Sequence, residues 1–183
     1  QWAARLGSSE AEARMLVCAA VRETFEESGV LLAGPSGDSV VADLSDPGWE
    51  RDRRALVDRD LAFSDFLARR SLVVRTDLLG LWAHWITPEF EERRYDTRFF
   101  LAALPAGQRT QDVSGEADEV CWLAPGEAVA RLRRDEIRML PPTAVTLAEL
   151  AGYRSIADVF AAVPGRDIRP ITPAALVRGE PAY

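Results

Sequence analysis

The chain has 183 residues, 48% of them apolar, and a net charge of −7 from 22 basic and 29 acidic side chains. That is one domain's worth of chain, long enough to bury a real core, and its acidic balance excludes a general nucleic-acid binder, whose surface is basic. All 22 basic residues are Arg and there is no Lys or Asn, which together with the abundant Ala reads as the codon bias of a GC-rich genome.

The first strong element is a helix over residues 10–28. Ser9 followed by Glu12 has capping-box spacing and marks its start, and Gly29 marks its stop, where the chain needs the left-handed conformation. Val17, Val21 and Phe25, widened by Leu16, Cys18 and Ala20, form an apolar stripe at helical spacing. With Val21 as zero, Glu26, Glu23 and Glu27 lie at about 140°, 200° and 240° around the axis, away from that stripe. Like charges three and four residues apart repel, so this face gains from a cation or from solvent. Arg22, four residues before Glu26, is placed to brace it.

After the helix, Val30–Leu32 reads as a short buried strand and Gly34–Gly48 as a loop rich in Gly, Pro, Ser and Asp. Residues 49–70 read as helical in two pieces, with Ser64 as a cap for the second. Strands follow over 78–87, ended by Pro88, over 95–104, and over 119–123. Helices are expected over 125–134 with Pro at the first turn, over 142–152 and over 155–163, and the Pro-rich stretch from 164 to 183 reads as an irregular tail. Strands separated by helices without a βαβ repeat point to a mixed α/β or α+β fold. Cys18 and Cys121 both lie in apolar surroundings and read as buried reduced thiols. No apolar run is long enough to span a membrane and no secretory signal is visible, so the expected location is the cytoplasm, with no membrane partner.

The string Arg22-Glu23-Thr24-Phe25-Glu26-Glu27-Ser28-Gly29-Val30 resembles the second half of the Nudix box, G-x5-E-x7-R-E-U-x-E-E-x-G-U, with Thr24 in a slot usually apolar. The first half does not match: the strict spacing falls on Ser8 and Arg14, where the box has Gly and Glu. Either the box carries an insertion that puts its opening upstream of Gln1, or its first half is degenerate. The insertion is the preferred reading, because Nudix domains place strands before the box and this chain begins almost at the helix, without an initiator Met. The expectation is the later part of a longer protein, with a Nudix domain over 1–163 that lacks its usual N-terminal strands.

The resemblance implies a mixed sheet sandwiched between helices, with 49–70 as a helical insertion after the box helix. It implies a metal-dependent hydrolase that cleaves a diphosphate bond in a nucleoside-diphosphate-linked small molecule. Glu23, Glu26 and Glu27 would be metal ligands for Mg²⁺ or Mn²⁺, hard cations that suit carboxylate oxygens. Glu23 would also organise the attacking water, and Arg22 would orient the glutamates. Many Nudix enzymes supply a further Glu from a loop before a strand; here the acidic segment 112–119 offers Glu116 as the general base, in near-even competition with its neighbouring acids. Trp85–Pro88, Arg94–Phe100 and Leu140–Thr143 add a resemblance to the coenzyme A diphosphatase branch of that family, so coenzyme A or its esters join dinucleotides, ADP-ribose and nucleotide sugars as substrates to test. Arg94 and Arg98 are either phosphate forks or partners of Asp96 and nearby acids. His84, the only histidine, reads as buried in the sheet, and Pro141-Pro142 as a rigid helix start. Nudix proteins are often dimers, although no homodimer interface is legible here. The alternative function is a non-catalytic Nudix-fold nucleotide-binding module.

Overall fold

Ser9 opens the long helix as its side chain dictates: its hydroxyl accepts the Glu12 N–H at 3.2 Å. In the computed structural model, which describes residues 1–111 and 121–174, this helix, α2, runs over Glu10–Ser28. A short helix the sequence reading did not anticipate, α1 (Trp2–Leu6), precedes it and ends on Gly7. Gly29 closes α2 at φ 70°, its N–H bonded to the Phe25 carbonyl at 2.9 Å. The buried residues of α2 are Ala13, Val17, Val21 and Phe25, each four positions from the last, so the apolar stripe faces the core as expected.

Two units share the chain, Gln1–Gly80 with Leu101–Trp122, and Leu81–Phe100 with Leu123–Tyr183. In the first, Phe25, Leu31, Ala33, Leu56, Leu61 and Phe66 form the core. Phe66 is its hub, stacked on Phe25 at 5.4 Å and on Phe63 at 5.9 Å, with the Trp49 ring edge-on at 6.3 Å. A fully buried side chain of this size contributes about 2–3 kcal/mol. The helical stretch after the box comes in two pieces as predicted, α3 (Pro47–Val57) and α4 (Phe63–Arg69). Asp46 caps α3, accepting the Gly48 N–H at 2.7 Å. Ser64 does not cap α4, because Phe63 is already helical and Ala62 holds the cap position. That earlier start places the Phe63 ring three residues from Phe66, where the two stack.

The predicted strand at Val30–Leu32 is fully buried but pairs with no strand. The ladder lies one residue on, where β1 (Ala33–Gly34) runs antiparallel to β2 (Val73–Val74). Gln108 replaces the missing neighbour. Its side-chain oxygen accepts the Leu31 N–H at 2.9 Å, and its amide nitrogen donates to the Leu31 carbonyl at 2.9 Å and the Val41 carbonyl at 2.6 Å. Buried backbone groups must be paired, and one side chain here serves three of them.

The second unit is built on a three-stranded sheet of order β4–β3–β5. β3 (Leu79–Ile86) is buried through Trp85, and β4 spans Asp96–Ala102. β5 (Pro170–Ile171) pairs parallel to β3, His84 opposite Pro170, so part of the tail expected to be irregular is a strand. α5 (Pro125–Arg133), α6 (Pro141–Leu150) and α7 (Ile156–Ala162) fall within two residues of their predicted bounds. Pro141 and Pro142 do start α6, and Ser155 caps α7, accepting the Asp158 N–H at 3.1 Å. Arg166 stacks its guanidinium 3.7 Å from the Trp82 ring, donates to the Trp82 carbonyl at 2.9 Å and pairs with Glu149 at 2.7 Å. The helices and the mixed sheet make this an α+β fold.

Two expectations around residue 121 fail. Residues 121–123 form no strand, and Cys121 is exposed, not buried. Trp122 is 73% exposed and donates its ring N–H to the Thr110 hydroxyl at 3.2 Å, so this tryptophan covers no core. The rest of that predicted strand, residues 119–120, lies outside the described residues. Among the described residues no helix is long and apolar enough to cross a membrane.

Candidate active site

The three acidic residues near the C-terminal end of α2, Glu23, Glu26 and Glu27, are not equivalent in space. Glu26 and Glu27 line a cleft of about 600 Å³ together with Arg22, Arg53 and Arg59 and an apolar wall of Leu56, Val57, Leu61, Ala62 and Phe63. Glu23 is not among the lining residues. The Glu26 side chain is 17% exposed and that of Glu23 54%, so the third predicted ligand sits toward solvent. Arg22 does lie against Glu26, its Nε 3.3 Å from Oε1, and its Nη2 donates to Glu23 Oε1 at 3.0 Å. Burial pushes the Glu26 carboxyl above its ordinary value; Arg22 opposes this, Glu23 adds to it, and Arg59 and Arg53 lower it without cancelling the rise.

The sequence reading missed Arg53. The last carbonyls of a helix have no partner within it, and α2 has no basic residue in its last turn. Arg53, from α3, supplies one: its Nη1 donates to the Glu26 carbonyl at 2.5 Å. The same guanidinium forks onto Glu50, Nε to Oε2 at 2.8 Å and Nη2 to Oε1 at 2.9 Å. Arg53 is 5% exposed, a buried cation in a matched bidentate pair. Its hydrogen bond is the main reason that the Glu50 carboxyl is held down to about 2; burial opposes this, and Arg54 helps. The Glu50-x-x-Arg53 spacing was the available signal, but nothing local links it to α2. Gln111 bonds the Ser28 carbonyl with its N–H at 2.9 Å, so the chain end that presents Glu26 and Glu27 is fixed from two sides.

Other predicted residues lie elsewhere. His84 is buried as expected, and its Nε2 is 2.5 Å from Asp96 Oδ1. Arg98 also bonds Asp96, and Arg94 donates to the Thr87 carbonyl at 3.1 Å. Burial raises the Asp96 carboxyl, but the bonds from Arg98 and His84 outweigh it and hold the group below its usual range. Arg98 is thus an acid partner, and Glu116 lies outside the described residues.

The donor set fits a hard divalent cation in one specific way. Among the described residues no group of three or more His, Cys, Asp or Glu is arranged to hold a metal. Mg²⁺, however, is held through one or two carboxylates completed by water and substrate phosphates. Glu26 and Glu27 on one cleft wall are such a pair, and the half-buried Glu26 carboxylate is a group whose charge a cation would relieve.

A helix that turns two carboxylates into a cleft and ends on a left-handed Gly is the arrangement a Nudix box specifies. Residues 7–150 match the family model described as the NUDT19 Nudix domain, and the chain belongs to the Nudix family. Among similar proteins, acyl-coenzyme A diphosphatase NUDT19 of Gallus gallus is 31% identical over 166 residues, covering 81% of this chain and 43% of that protein. The protein of the same name from Homo sapiens is 30% identical over 159 residues, 82% of this chain and 42% of that one. Putative nudix hydrolase 7 of Caenorhabditis elegans is 28% identical over 133 residues, 73% of this chain and 43% of its own length. The chain thus spans less than half the length of these relatives. The crystal structure of a NUDIX hydrolase from Alicyclobacillus acidocaldarius superposes with a TM-score of 0.71 at 24% identity, covering 84% of this chain and 68% of that one, which shows the shared fold.

Proposed function

We propose that this chain carries the catalytic Nudix helix of a divalent-metal-dependent diphosphatase acting on nucleoside-diphosphate-linked small molecules, with coenzyme A and its esters as the preferred class. The observation that carries it is the pair Glu26 and Glu27 lining a cleft beside the guanidinium groups of Arg22, Arg53 and Arg59. Mg²⁺ or Mn²⁺, when bound there, would neutralise the diphosphate and acidify a water. Glu26 and Glu27 would anchor the ion, Arg22 orients Glu26 and Glu23, and Arg53 fixes the backbone turn that carries both anchors. Glu23, more exposed, would act through water. Glu116 is proposed to take the proton from the attacking water. The coenzyme A preference rests on the names of the acyl-coenzyme A diphosphatase relatives and on the strings around Trp85, Arg94 and Leu140.

Glu26→Gln and Glu27→Gln should each abolish metal-dependent hydrolysis while leaving the far-UV spectrum and melting temperature intact. Full activity in both variants would sink the assignment. A substrate panel with product identification tests the preference: faster turnover of ADP-ribose than of coenzyme A rejects it. Ser8 and Arg14, where the box has Gly and Glu, favour a second reading, a Nudix-fold nucleotide-binding module. Calorimetry separates the two, because a binder takes up an intact nucleotide without metal and releases no products.

A further inference from the structure

α3 ends in a pattern that forces one residue into the left-handed conformation. The Asp60 N–H bonds the Ala55 carbonyl at 2.8 Å and the Arg59 N–H bonds the Leu56 carbonyl at 3.0 Å, which is a Schellman closure with Arg59 just past the helix end. Arg59 has φ 63°. Glycine is the usual occupant of that position, because a Cβ there is disfavoured, and α2 ends on Gly29 accordingly. Ser71 and Asp135 are also left-handed, but neither lines the cleft. At Arg59 an unfavourable backbone conformation is retained with a long cationic side chain on the wall that faces Glu26 and Glu27.

The three cleft guanidinium groups differ in what they are free to do. That of Arg53 is occupied by Glu50 and the Glu26 carbonyl. That of Arg22 is tied to Glu23 and Glu26. The Arg53 fork does not turn to a ligand without breaking its bonds, whereas Arg22 is held by ion pairs that brace the helix carboxylates. Arg59 is solvent-exposed and acts on the Glu26 carboxylate through space. A guanidinium presents a planar fork of donors that matches phosphate oxygens. Resting on the diphosphatase reading above, we propose that Arg59 is the substrate-anion clamp of this cleft, a specificity residue that takes phosphate oxygens of the diphosphate not engaged by the Glu26–Glu27 cation.

The test uses Arg59→Gly, which deletes the guanidinium and at the same time removes the disfavoured Cβ, with Arg59→Lys beside it. Two readouts run in parallel on the full chain: steady-state hydrolysis of coenzyme A and ADP-ribose with Mn²⁺, and calorimetry of inorganic pyrophosphate with Mg²⁺. A clamp used equally in ground and transition states predicts a KM about tenfold higher at nearly constant kcat, a pyrophosphate Kd about tenfold weaker, and a melting temperature at or above that of the unsubstituted chain. Arg59→Lys should recover part of the affinity. If the unsubstituted chain hydrolyses neither compound, the diphosphatase reading fails, and the pyrophosphate arm still decides the clamp. Unchanged KM and pyrophosphate Kd in Arg59→Gly overturn it, as does a kcat loss at constant KM. So does a chain that binds no pyrophosphate at all.

Discussion

Arg53→Met isolates the contact that ties the cleft to α3. Methionine keeps a flexible apolar stem of similar reach and removes the guanidinium. Three hydrogen bonds go: one to the Glu26 carbonyl and two to Glu50. Removing one partner of a buried charged pair costs about 3–5 kcal/mol. Glu50 keeps Arg54 at 2.7 Å and its side chain is 32% exposed, so solvent and the second Arg take up part of the loss, giving about 3 kcal/mol. The pH dependence follows from Glu50, whose folded pKa of about 2 lies below the ordinary 4.5. A depressed carboxyl stabilises the fold fully above the unfolded pKa and loses that contribution as pH falls toward the folded value. Urea unfolding of the chain and the variant at pH 7 and pH 3 reads both effects. The destabilisation should be about 3 kcal/mol at pH 7 and smaller by about 1 kcal/mol at pH 3, once exposure is discounted. A penalty below about 1 kcal/mol at pH 7, or one that does not shrink in acid, refutes the role given to this ion pair.

Three further substitutions each test what one residue holds in place. Gln108→Leu leaves the Leu31 N–H and the Leu31 and Val41 carbonyls without their partner and should cost about 3 kcal/mol in denaturant unfolding; Gln108→Glu should not rescue it, since a carboxylate cannot donate to the two carbonyls. Gly29→Ala places a Cβ at φ 70° and 3.3 Å from the Gln111 side chain, for a loss of about 1–2 kcal/mol read as a lower urea midpoint at unchanged m-value. Arg166→Ala in the second unit deletes the stack on Trp82 together with the Trp82 carbonyl and Glu149 bonds. It should cost about 1–2 kcal/mol, and Arg166→Lys should recover less than half in the same melt, because an ammonium neither stacks nor forks.

Much of the local structure was legible because its causes are local. Ser9, Gly29 and the Val17–Val21–Phe25 spacing bound α2 to the residue, and the three short helices of the second half carry their own Pro or Ser starts. The errors have a common origin. Val30–Leu32 has the composition of a strand, but the partner of its central residue, Leu31, is a glutamine side chain 77 positions away. The Val120–Leu123 run looked like a core strand, yet Trp122 faces solvent. β5 was invisible because two residues in a Pro-rich stretch carry no pattern; they become a strand only because β3 offers an edge.

The site divides the same way. Spacing along the chain is enough to put the glutamates at the end of α2 opposite an apolar stripe, to set Arg22 within reach of Glu26, and to end the helix in a left-handed turn, because a helix's periodicity and caps are set within a few residues. Only the packing of α3 and α4 against α2 puts Glu26 and Glu27, and not Glu23, on a cleft. Only it brought Arg53 to the Glu26 carbonyl and Arg59 to the facing wall, from a helix pair whose own pattern records nothing of what it packs against. Burial and through-space charge belong to elements brought together, so they are settled by folding and not by spacing along the chain.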